Sequence, residues 1–183
     1  MRHRSCVVGI ATILSAGLLP LVAVGCAEHD PQQNRSVPSC TAPVFPAPYT
    51  AVDPCSADAV LTSAARVMFT YQPDRQPDCA ATFLTAGPLI EPDYLHRIGA
   101  SAAALMPITV ATWEEWASRH IGVTATVRIT ADDHSADTGT RARRVIAVTQ
   151  HPDNEPPNAF TAYMQATRTG THNPWLVTDM EIK

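Results

Sequence analysis

The densest group of side chains that could do chemistry is Asp132, Asp133, His134 and Asp137. Carboxylates and an imidazole can hold a divalent cation, but the spacing lacks the fixed glycine and closing glutamate of a calcium-binding loop. Short acidic and hydroxyl residues are what a connection between strands ordinarily contains. The group is therefore read as a turn, with no metal and no other cofactor assigned. Acid–base chemistry would need a carboxylate or phenol held in apolar surroundings that tune its pKa. Tyr71, Asp93, Tyr94, Tyr163 and Asp179 are the residues of that kind, and each also fits an ordinary place on a helix face or a strand. Trp113 and Trp116 stand three apart and would share one face of a helix, where they close the end of a core or line a pocket. The chain carries no G-x-S-x-G nucleophile turn, no G-x-G-x-x-G and no P-loop. No catalytic residue is assigned. Tyr71, Tyr94, Trp113, Trp116, Tyr163 and Asp179 are kept as pocket candidates, and the chain is read as not an enzyme.

Cysteine chemistry is more specific. Arg2 and Arg4 precede an uncharged apolar run from Val7 to Gly25, which ends at Cys26 behind the small residues Ala23 and Gly25. A positive start, an apolar middle and small residues at the end mark an export signal. A cysteine at the cleavage point resembles a bacterial lipobox, at which a diacylglyceryl group is joined to sulfur. Residues 1–25 are expected to be removed, and Cys26 to carry the acyl anchor, palmitate included. Each buried methylene contributes about 0.8 kcal/mol, and two or more chains hold a protein stably on a bilayer. The implied location is the outer, extracytoplasmic face of the cell membrane.

An exported chain can form disulfides. With Cys26 acylated, Cys40, Cys55 and Cys79 leave room for one bond. A helix between Cys55 and Cys79 of about 15 residues is roughly 22 Å long, whereas a disulfide needs Cα atoms within about 7 Å. Cys40 is therefore expected to pair with Cys55 or with Cys79. No C-x-x-C spacing points to zinc or redox work.

These residues must be positioned by the rest of the chain. The sequence has 13 Lys and Arg against 17 Asp and Glu, and loss of Arg2 and Arg4 with the signal makes the remainder more acidic still. Nucleic-acid binding needs clustered Lys and Arg to displace counterions, so no nucleic-acid partner is expected. Arg141, Arg143 and Arg144 form one basic cluster, read as a solvated strand face. Residues 26–55 hold Pro31, Pro38, Pro43, Pro46, Pro48 and Pro54, a composition that excludes helix and suits a semi-rigid tether.

From Ser56 the pattern changes. Ser56 is an N-cap, Asp58 stands in the first turn, and Val60, Leu61, Ala64, Val67, Met68 and Tyr71 recur at helical spacing up to Pro73. Cys79–Thr85 and Glu91–Ile98 read as further short helices, the latter with Pro92 at its first position. Beyond Trp113 the period becomes two. Val123–Thr130, Arg141–Gln150, Ala159–Arg168 and Trp175–Ile182 read as strands. Helices followed by antiparallel strands describe one α+β domain over residues 56–183, with the helices on one face of the sheet.

This order, the tryptophan-containing junction Trp113-Glu114-Glu115-Trp116 and the closing Trp175-Leu176-Val177-Thr178-Asp179-Met180 resemble NTF2-like domains. The likeness is to small exported actinobacterial lipoproteins and Mce-associated proteins. The resemblance implies an NTF2-like (cystatin-like) curved antiparallel sheet wrapped around the helices. It also implies a non-catalytic interaction or assembly module of the cell envelope, with a protein partner there. The alternative within the same fold is a small-molecule or lipid pocket-binding protein, an isomerase-like enzyme included. Fold alone does not choose between them.

Overall fold

In the computed structural model, the described residues are 40–131 and 134–183. The expected signal, its cleavage point and the lipidated Cys26 lie outside them, as do Asp132 and Asp133.

Among the described residues, four α-helices precede four strands: α1 (Ala57–Met68), α2 (Ala80–Thr85), α3 (Pro92–Ile98), α4 (Val110–Ser118), β1 (Val123–Ile129), β2 (Arg141–Pro152), β3 (Asn158–Thr167) and β4 (Leu176–Ile182). The strands form one antiparallel sheet in the order β1-β2-β3-β4. The architecture is α+β, as the switch of period indicates. No helix among the described residues is long and apolar enough to cross a membrane.

Local chemistry accounts for the helix starts. The Ser56 hydroxyl accepts the Ala59 N–H at 3.1 Å, satisfying one of the orphan donors of the first turn. Glu91 caps α3 through the Tyr94 N–H, and Thr109 caps α4 through the Thr112 N–H. The Ala-rich piece between Gly99 and Pro107, which periodicity leaves undefined, is a 3₁₀ helix over Gly99–Leu105.

The end of α1 departs from expectation. Apolar spacing carries the helix to Tyr71, but it stops at Met68. Gln150 of β2 donates its side-chain amide to the Phe69 carbonyl at 3.0 Å, and Tyr71 exchanges both backbone hydrogen bonds with Val123, at 2.8 and 2.9 Å. Long-range pairing thus replaces the last helical turn.

The core lies between the helices and one sheet face. Val60, Leu61, Ala64 and Met68 of α1 are fully buried, as are Ile146, Ala162, Ala166 and Val177 of the sheet. Strand alternation places these sheet residues on one side.

The expected tether boundary at residue 55 moves. Cys40 is bonded to Cys55, with Cα atoms 5.7 Å apart, which resolves the two pairings open to Cys40, while Cys79 is a buried free thiol. Phe45 and Tyr49 are buried in the same core. Thr41 N–H donates to the Thr171 carbonyl and Trp175 N–H to the Pro54 carbonyl. Residues 40–55 therefore belong to the domain, held by apolar burial that proline content does not reveal. Trp175, buried before β4, is covered by the Arg168 guanidinium 4.6 Å from its ring centre.

Candidate functional site

The six pocket candidates do not converge. Tyr71, Trp113 and Trp116 lie in the core, with the Tyr71 and Trp113 rings edge to face at 5.5 Å. The Tyr71 hydroxyl points at the Met106 sulfur, 3.8 Å away. Burial raises its pKa far above the tyrosine range, against a smaller opposing effect of the Gln150 side chain. A phenol so placed stays neutral near neutrality. The Trp116 indole donates to Glu155 at 2.9 Å, tying α4 to the β2–β3 turn. Tyr94 of α3 is buried against Phe83, and desolvation, then the charge of Asp179, raises its pKa. Tyr163 and Asp179 are on the other sheet face, exposed, because their strand positions alternate with the buried Met164 and Met180.

The basic cluster also divides. Arg141 and Arg143 are exposed, whereas the Arg144 side chain retains 11% exposure and is not a solvated strand residue. Its guanidinium donates to Asp58 of α1 at 2.7 Å and, through two nitrogens, to Asp137 at 2.8 and 2.7 Å. Asp137, from the expected turn cluster, thus serves to fasten the β1–β2 connection. The Arg144 hydrogen bond holds the Asp137 carboxyl below its ordinary pKa of 3.8. A lowered carboxylate pKa adds stability above the unfolded value, which is lost as pH falls through the folded one. Arg144→Gln is expected to flatten the fall in melting temperature between about pH 5 and about pH 2. Thermal melts across that range check it, and equal slopes in both proteins would contradict it.

On the other sheet face, Arg143, Tyr163, Gln165, Asp179 and Glu181 line a cleft of about 410 Å³ with the buried Val145 at its floor, and parts of Arg144 and Met164 and the β1–β2 residues His134 and Ser135 complete the lining. The strand register sets two rows across β2, β3 and β4: Arg143, Gln165, Asp179, and beside them Val145, Tyr163, Glu181. Of these, the sequence singled out Tyr163 and Asp179 as pocket candidates. Strict alternation could have placed Arg143, Gln165 and Glu181 on one face with them, but nothing short of the register brings them side by side.

Among the described residues, no three His, Cys, Asp or Glu side chains are grouped to hold a metal ion. What the arrangement offers is charge recognition on an open face, backed by a buried apolar core. Comparison with known protein families, with characterised proteins and with solved structures finds no match for this chain.

Proposed function

We propose that this chain is a lipid-anchored protein of the extracytoplasmic membrane face, in which an NTF2-like domain acts as a non-catalytic interaction module of an envelope assembly. The observation that carries the reading is the contrast between the two sheet faces. The helix-covered face is closed by Ile146, Val148, Ala162, Met164 and Met180, all at 4% exposure or less. The opposite face presents an uncovered, charged cleft, suited to recognition. The Cys40–Cys55 bond supports an oxidising compartment, and the α+β meander is consistent with the NTF2-like layout.

Two measurements on one pair of proteins test it. Wild type is expected in the detergent phase on phase partitioning and Cys26→Ser in the aqueous phase. Affinity capture from detergent-solubilised membranes should then return a defined envelope protein with wild type. Equal partitioning of the two proteins would remove the anchor, and capture of no specific partner would remove the module.

A further inference from the structure

The two edges of the sheet are guarded differently. Along β4, the Glu91 N–H donates to the Val177 carbonyl at 2.9 Å beside the Ile90–Val177 bridge, and the charged Asp179 and Glu181 follow. Along β1 only the first position is closed, where Val123 exchanges both backbone hydrogen bonds with Tyr71 on the side away from β2. Backbone groups of an antiparallel strand alternate in direction, and the Thr130 N–H donates inward to the Val145 carbonyl. Ala125, Val127 and Ile129 therefore aim their N–H and C=O groups outward, and among the described residues no hydrogen bond reaches them. None of the three is buried. The strand carries no proline, lysine or bulge, the usual means of keeping an edge from pairing.

We propose that the β1 edge pairs antiparallel with the same edge of a second copy of this chain, with Val127 on the two-fold axis. An interface of this kind is self-complementary, and its register follows from what each strand offers. With Val123 taken by Tyr71, three outward residues remain, and only a ladder centred on Val127 engages all three from both copies. Val127 then meets Val127, and Ala125 meets Ile129. These side chains pack against the core while staying partly exposed, so pairing covers their open flank. A ladder centred on Thr126 would set Ile129 against the occupied Val123. One centred on Arg128 would oppose two like charges, which is destabilising. The proposal goes beyond the module reading, since it uses neither the anchor nor the cleft.

The test is sedimentation of the full chain in detergent, from micromolar to millimolar concentration. Wild type is expected to pass from the mass of one chain to that of two. Val127→Pro takes no hydrogen bond from β2, because that N–H points outward, and should abolish the change. Thr126→Lys sets an ammonium against the partner's Arg128 at two symmetric places and should weaken pairing about tenfold. Thr126 is exposed, so this variant keeps the fold even where proline disturbs it. Oxidation reads the register. Thr126→Cys and Arg128→Cys chains should form a mixed disulfide when combined and little when each is alone, because opposed residues of a non-hydrogen-bonded pair have Cα atoms about 4.5 Å apart. A single mass at every concentration, pairing unchanged by Thr126→Lys or by folded Val127→Pro, or disulfides in each separate population equal to those in the mixture would each overturn it. So would a monomer whose Val127 amide is protected from exchange only in membranes, which assigns the edge to another protein.

Discussion

Truncating Tyr71 to alanine is expected to cost about 3–5 kcal/mol, the range for removing a buried aromatic ring, while Tyr71→Phe stays within about 1 kcal/mol of wild type. Tyr71 is fully buried, and its ring packs edge to face on Trp113, so alanine opens a cavity where α1, α4 and β1 meet. Its hydroxyl gains little, pointing at a methionine sulfur 3.8 Å away. A catalytic phenol would instead make phenylalanine as damaging to function as alanine. Urea unfolding of the two variants decides it, and a large loss in Tyr71→Phe would contradict the packing role.

The same phenol sets an alkaline limit. Its folded pKa is raised by burial above the ordinary 10.0, so the unfolded chain gives up the proton more readily. Stability from this group is complete below about pH 10 and declines as pH rises beyond it. Burial shifts Tyr49 and Tyr94 in the same direction, so Tyr71→Phe should remove part of the alkaline loss and not all of it.

Period alone was enough for the strands. Val123, Ala125, Val127 and Ile129 alternate with Thr124, Thr126 and Arg128, and observed strand ends lie within two residues of expectation. Alternation reports a local backbone state that one buried face imposes. The helix end at Met68 was not legible, because its cause is Gln150 in a distant strand, donating to the Phe69 carbonyl. Arg144 shares its parity with the buried Ala142, Ile146 and Val148, a sign that it turns toward α1; its arginine neighbours obscured that sign. The cleft was half legible. Tyr163 and Asp179 stood out by type, yet their alignment with Arg143, Gln165 and Glu181 depends on register and on the irregularity between Gln165 and Ala166, which no local pattern encodes.

Removal of the Cys40–Cys55 bond, by Cys40→Ser or by reductant, is expected to cost about 2–4 kcal/mol and lower the melting temperature by about 4–16 °C. The bond closes a 15-residue separation, for which loop-closure entropy alone corresponds to about 3 kcal/mol. Inside that loop Phe45 and Tyr49 are buried, and the Tyr49 hydroxyl donates to the Thr85 carbonyl at 2.7 Å. Once the link is cut, the segment must hold its place by these contacts and by the Thr41–Thr171 and Trp175–Pro54 backbone bonds, against the entropy of a freed chain end. Hydrogen exchange separates the two consequences. Local release would raise exchange at Thr41 and Trp175 while the amides of β2 and β3 keep their order of protection. A melting temperature insensitive to reductant, with thiol titration showing the bond fully reduced, would mean that apolar burial alone holds residues 40–55 on the domain.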